Sequence, residues 1–208
     1  MNKMMMTAGV ACTALLAGCA PALMGQGAIT AAAPGRLSVA QPAPRATAGT
    51  LTLSSLSFRN GGMLSLEQVG QGNGCTGQNI SPELNWSGAP EGTASFVLTA
   101  YDPDAPTGSG FWHWAVYNLP ATATSLPKGA GSSSSLPEGA VQLNNEGGTP
   151  GYTGACPPVG DAPHRYIFTL YALNKKLELP ANVSPAYLGF NLNGATIAKA
   201  QTFAAYGR

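Results

Sequence analysis

The chain has 208 residues, enough for one domain with appendages, and a 44% hydrophobic content sufficient to build a core. Only 9% of the residues are charged, the formal net charge is +1, and Lys175-Lys176 is the one basic cluster, so binding to nucleic acid through a lysine- and arginine-rich face is set aside. Twenty-seven glycines and 17 prolines favour many short strands and turns over long helices.

The chain opens with Lys3 as a positive region, followed by an apolar run over residues 4–17 that has signal-peptide length and is too short to span a bilayer comfortably. The run closes in Leu16-Ala17-Gly18-Cys19, which resembles a bacterial lipobox. There the signal, residues 1–18, is removed and the thiol of Cys19 carries lipid, which anchors the protein to the membrane. The alternative is a plain secretory signal with a chance cysteine, and under either reading the chain is exported. Ala20, rather than an aspartate, follows the cysteine. In a Gram-negative cell the lipoprotein resemblance therefore implies the outer membrane, facing the periplasm or the cell surface. Residues 19–49 are rich in Ala, Pro and Gly, have no acid and show neither a 3.6 nor a 2.0 period, which reads as a flexible tether. Residues 50–208 are the expected domain.

Within it, residues 51–58 alternate apolar and polar as an opening strand, Asn60-Gly61-Gly62 turns the chain, and residues 63–66 make a short return. A glycine-rich loop, residues 70–82, holds Cys75, but it lacks G-K-[ST] and a following helix, so it is not a Walker-type loop. Residues 84–86 form a short strand. Residues 94–101 are apolar on both parities, the mark of a central strand. The loop Asp102-Pro-Asp-Ala-Pro106 follows, and then a second doubly apolar strand over residues 111–119. Strict alternation there puts His113 on the face of Phe111, Ala115 and Tyr117, with Trp112 and Trp114 opposite. Residues 120–139 read as a surface excursion, with no structure expected for the serine run 132–135, and residues 140–145 as a possible strand. A second glycine- and proline-rich loop, residues 146–160, carries Cys156. Residues 164–173 are the strongest strand, with His164, Tyr166, Phe168 and Leu170 on one face and Arg165 on the other. A helix is expected over residues 185–198, with Ser184 as N-cap and Pro185 at its first position, and a closing strand over residues 199–206. The domain is therefore mostly β, with minor α.

The four cysteines have separable fates. Cys12 falls in the removed signal and Cys19 takes lipid. Cys75 and Cys156 remain as an even pair in an oxidising compartment, each in a glycine-rich loop, which predicts a disulfide between the loops; two separate buried thiols are the alternative.

Asp102-Pro-Asp-Ala-Pro106, Trp112-His-Trp114, Gly154-Ala-Cys-Pro-Pro158 and His164-Arg-Tyr166, in that order and spacing, resemble the phosphatidylethanolamine-binding protein family, in particular its bacterial Raf-kinase-inhibitor-like branch. Asn79-Ile-Ser-Pro82 and Trp86 add to the resemblance, which runs from about Leu51 to Tyr206. It implies a central antiparallel sheet packed on a smaller sheet, with a C-terminal helix near a pocket. The implied pocket binds anions such as phosphate, acetate or a phospholipid head group, and comprises Asp102, Pro106, Trp112, His113, Gly154, Cys156, Pro157, His164 and Tyr166. The cysteine pair is similar to one that is bridged in exported members. Cys156 stands where many relatives have a small residue, and Tyr206 matches the family's terminal aromatic only loosely.

Chemically, two histidines can donate hydrogen bonds to an anion, with charge assistance once protonated, and Asp102 can fix the tautomer of one of them. Tyr166 adds a hydroxyl, and Trp112, Pro106 and Pro157 add apolar walls. Asp102 is assigned to the pocket and Asp104 to bracing the loop through backbone hydrogen bonds. The reading is a non-enzymatic binder of a small anion or phospholipid head group in the cell envelope, with a role as inhibitor or modulator of an unidentified partner protein open to it, and with no cofactor and no metal. Two other classes stay open: an enzyme or metal site on Asp102, His113 and His164, and a structural envelope lipoprotein whose histidines only satisfy core hydrogen bonds.

Overall fold

The computed structural model describes residues 50–132 and 136–208. The expected leader, Cys19 and the tether lie outside the described residues, as does most of the serine run. Among the described residues the strands are β1 (Thr52–Ser54), β2 (Gly62–Met63), β3 (Gln71–Gly72), β4 (Cys75–Thr76), β5 (Leu84–Ser87), β6 (Ser95–Asp102), β7 (Phe111–Pro120), β8 (Ser125–Leu126) and β9 (Val141–Gln142). β10 (His164–Leu173), α1 (Pro185–Asn191) and β11 (Thr196–Tyr206) complete the chain.

All eight residues of β6 are buried. A strand whose side chains alternate between faces can be apolar throughout only if both faces are covered. β6 pairs antiparallel with β7 on one side and β10 on the other, inside a six-stranded sheet ordered β2-β11-β10-β6-β7-β9. Phe96, Leu98 and Ala100 share a core with Leu53, Leu84, Trp86 and Leu126 of a second, three-stranded sheet, β1-β5-β8. Val97 belongs to a separate core with Ala115, Tyr117 and Leu173, covered by Leu188 and Leu192 of the helical segment. The layers are thus small sheet, large sheet, helix. Leu188, fully buried under this cap, contributes about 2 kcal/mol of apolar burial.

The expected mostly-β architecture holds, with differences in detail. Ser184 caps α1 as read, its Oγ accepting from the N–H of Tyr187 at 3.1 Å. The helix ends at Asn191, however, not at residue 198. Gly194 turns with φ +76, and Thr196–Tyr206 pairs with β10 along its whole length. Ten strand-strand pairings outweigh the weak helical tendency of a segment holding Gly189 and Gly194. The return over residues 63–66 does not fold back on the opening strand; Gly62 and Met63 pair parallel with Ala204 and Ala205. The glycine-rich loop contains the β3–β4 hairpin, and the expected surface excursion contributes β8 to the small sheet.

Candidate functional site

Because β6 is antiparallel to both neighbours, its carboxyl end lies beside the amino ends of β7 and β10. Asp102, His113, His164 and Tyr166 therefore meet at one end of the large sheet. Alternation puts Asp102 on the face of Leu98 and Ala100, and His164 and Tyr166 on that of Phe168. His113 arrives by a different device. Ala100 pairs with Trp114 and Tyr101 with Trp112, which leaves His113 as the extra residue of a β-bulge. The bulge turns His113 towards Tyr166, with ring centroids 5.0 Å apart, while Trp114 joins the core beneath the small sheet. Trp112 packs on Tyr101 at 4.6 Å instead. Strict alternation had grouped His113 with Ala115 and Tyr117; the register shift overturns that grouping.

Two loops close over these residues. Asp102 Oδ1 accepts the N–H groups of Asp104 at 2.8 Å and Ala105 at 3.1 Å, an Asx turn that carries Pro106 and Thr107 over the site. Gly110 ends this loop with φ +74, and a side chain there would strike the Tyr101 ring. Asp104 Oδ2 accepts from the backbone N–H of Arg165 at 2.9 Å and from its Nε at 2.8 Å, while Oδ1 accepts from Nη2 at 2.8 Å. Asp104 thus braces the loop by tying it to β10, and Asp102 adds a brace of its own from within the loop. In the second loop the N–H of Gly154 donates to Asn79 Oδ1 at 2.6 Å, and Cys156 is joined to Cys75 of β4 by a disulfide. Arg208 fastens the same two loops, donating through Nε to Pro157 O at 2.7 Å, through Nη1 to Gly74 O at 2.6 Å and through Nη2 to Asn73 O at 3.1 Å.

The result is a cavity of about 250 Å³. Asp102 and Pro106 line it from the first loop, His113 from β7, Gly154, Cys156 and Pro157 from the second loop, and His164 and Tyr166 from β10. Trp112, the ninth expected residue, stands outside it for the reason just given. The expected neighbouring helix supplies no lining residue, since it covers the opposite face of the sheet. Sequence reasoning missed Asn73, Ala105, Thr107, Phe111, Thr153 and Pro158. Phe111 carried a signal, because it lies two residues before His113; its ring packs on the imidazole at 4.8 Å. Asn73 and Thr153 carried none, because long-range loop closure brings them in.

Asp102 Oδ2 accepts from His164 Nδ1 at 2.7 Å, with both side chains at most 5% exposed. Burial raises the Asp102 carboxyl above its ordinary range, and the hydrogen bond and charge of His164 oppose that rise. His164 Nε2 faces Asp161 at 3.4 Å. His113 Nδ1 donates to Thr153 O at 2.7 Å, which fixes the tautomer and leaves the lone pair on Nε2. Burial pushes this imidazole down to about 4, so it is neutral at physiological pH. His113 therefore faces the site as a neutral acceptor, not as the charge-assisted donor expected. Tyr166 is 2% exposed, its hydroxyl has no hydrogen-bond partner, and burial raises its pKa so that the proton stays on. Among the described residues, no lysine or arginine lines the cavity, and no three His, Cys, Asp or Glu side chains converge as a metal-ligand group.

This geometry can be set against known proteins. The sequence profile described as phosphatidylethanolamine-binding protein matches residues 54–207. The chain is 49% identical over 164 residues to the UPF0098 protein YbcL of Escherichia coli K12, covering 77% of this chain and 90% of that one. It is 46% identical over 158 residues to YbhB of the same organism, covering 75% and 99%. The crystal structure of YbcL superposes with a TM-score of 0.74 at 48% identity, covering 76% of this chain and 98% of that one. A mycobacterial relative, named as the lipoprotein LppC of Mycobacterium tuberculosis H37Rv, is 35% identical over 176 residues, covering 84% and 81%. The chain belongs to the phosphatidylethanolamine-binding protein family.

Proposed function

We propose that the cavity binds a small anionic head group, phosphate or carboxylate in character, in a protein exported to the cell envelope. The carrying observation is the Tyr166 hydroxyl, buried in the cavity wall without a partner. An unsatisfied buried hydroxyl costs about 1–3 kcal/mol, and a ligand oxygen would remove that cost. The His113 ring packs on that of Tyr166 with Nε2 not engaged by the protein, and Pro106, Phe111 and Pro157 give the apolar walls of a small-molecule cleft. A cavity of about 250 Å³ suits a head group and not acyl chains. The geometry favours binding over catalysis: Asp102 and His164 spend their hydrogen bonds on each other, on backbone and on Asp161, Cys156 is bridged, and the Thr107 hydroxyl donates to Gly110 O.

Calorimetric titration with inorganic phosphate and with phosphoethanolamine tests the reading. Tyr166→Phe should bind at least tenfold more weakly while folding as stably as the parent. Equal affinity in the variant, or no binding by the parent at millimolar ligand, would refute it.

Export is supported by the Cys75–Cys156 disulfide, by the likeness to a protein named as a lipoprotein, and by Leu16-Ala17-Gly18-Cys19. Cys19 is proposed to carry the lipid. Cys19→Ser should abolish incorporation of labelled palmitate and release the protein from the membrane fraction; labelling that persists in the variant would refute that anchor.

A further inference from the structure

We propose that the cavity selects an oxyanion that brings its own acidic proton, the monoanion of a phosphate monoester, over a fully deprotonated anion such as sulfate. The inference rests on the anion-binding reading above and specifies the protonation state of the ligand. It follows from which polar atoms are left open. The Nδ1–H of His113 is committed to Thr153 O, so the atom offered to the ligand, Nε2, is a lone pair. Tyr166, on β10 and so separated from β7 by β6, is in ring contact with His113, and its buried hydroxyl has no hydrogen-bond partner. Two side chains whose rings are in contact thus leave one acceptor and one donor without a partner.

The ionisable groups around His113 reinforce this pattern. Tyr166 and His164 face it from β10. Asp102 of β6 and Asp161 of the preceding loop lie on the two nitrogens of His164. The guanidinium of Arg208 is held at the rim on the carbonyls of Asn73, Gly74 and Pro157. A fully deprotonated oxyanion carries only acceptors. It would satisfy Tyr166 but set an oxygen against the imidazole lone pair, close to a buried carboxylate and with no lysine or arginine among the described lining residues to compensate. A P–OH group donates to Nε2 while another oxygen of the same phosphate accepts from Tyr166. Making His113 the donor instead requires protonating an imidazole that burial holds neutral.

The test is calorimetric titration at pH 6 and constant ionic strength with inorganic phosphate, glycerol 3-phosphate, sulfate and glycerophosphoethanolamine. Phosphate and glycerol 3-phosphate should bind at least tenfold more tightly than sulfate. Their apparent affinity should fall by up to tenfold per pH unit above the ligand's second ionisation, at about 6 for a phosphate monoester. Titration in buffers of different ionisation enthalpy should show proton uptake on binding in that range. Sulfate binding as tightly as phosphate, or phosphate affinity rising between pH 6 and pH 8, would overturn the proposal while leaving an anion site intact. Glycerol 3-phosphate binding above glycerophosphoethanolamine supports a monoester. The reverse order overturns monoester selection in favour of a lipid head group that supplies an ammonium N–H. If none of the four binds, the anion reading itself fails and the selectivity falls with it.

Discussion

His113 makes the stability of the domain depend on pH in a way that can be worked out in advance. In the unfolded chain its imidazole titrates near 6.5; in the folded protein, burial lowers it to about 4. Between these values the unfolded state binds a proton that the folded state refuses, so stability rises with pH across this window. The contribution is fully present above about 6.5 and is lost as pH falls towards 4. The gap corresponds to about 3 kcal/mol. Asp102 acts in the opposite sense. Its carboxyl is raised in the folded state, so its contribution is present at low pH and is lost as pH rises through its folded value. A comparison of variants separates the two. His113→Asn retains a side-chain N–H able to donate to Thr153 O but has no group that titrates. Urea unfolding of parent and variant, followed by tryptophan fluorescence from pH 4 to pH 7, gives the difference directly. The stability of the parent minus that of the variant should rise by about 3 kcal/mol over this range. A flat difference, or one that falls with pH, would mean that His113 is not held neutral by burial, and the acceptor role assigned to its Nε2 would go with it.

Four further outcomes follow from the geometry. Asp104→Asn loses the paired contact with a partly exposed Arg165, and should cost about 2 kcal/mol in denaturant unfolding with little change in phosphate affinity. Asp102→Asn should lower both stability and affinity, because the same carboxylate holds the loop backbone and His164; loss of affinity alone would contradict the Asx turn. Replacing both Cys75 and Cys156 by alanine opens a cross-link between residues 81 apart, and chain entropy puts the loss at about 4 kcal/mol, readable as a lower Tm. Gly154→Ala places a methyl against the N–H of Gly70 and should cost about 2–3 kcal/mol; an unchanged Tm would show that the two loops can part without penalty.

The long strands were legible because burial on both faces leaves a plain signature. β6, β7 and β10 are apolar on both parities or strongly β-prone, and each was placed within one or two residues. Asp102, His164 and Tyr166 were found through the motifs that carry the family resemblance, and they lie at the ends of those strands. What escaped depended on contacts that no local pattern records. β3, β4 and β8 are two residues long, too short to show a period, and exist because a neighbouring strand pairs with them. The helix was extended too far because residues 192–198 have no strong local preference, and pairing with β10 decides their fate. The partners of Asp102 and Asp104, His164 and Arg165, could not be named because they lie 62 and 61 residues away in sequence.

The bulge at His113 shows how a break in pattern builds the site. Regular alternation would have left the imidazole under the helix with Ala115 and Tyr117, away from Asp102 and Tyr166. One extra residue in β7 moves it to the other face without disturbing the strand on either side. The carbonyl of Thr153, on a loop fixed by Asn79 through Gly154 and by the Cys75–Cys156 bridge, then decides which ring nitrogen carries the proton. These constraints act before any ligand arrives, so binding need not bear the cost of ordering the loops. The fold satisfies the other polar atoms of Asp102, His113 and His164, yet leaves the Tyr166 hydroxyl and the His113 lone pair without partners, on two side chains that line the cavity. Leaving two such groups unsatisfied reduces stability, and a ligand offering one donor and one acceptor recovers what the fold gives up.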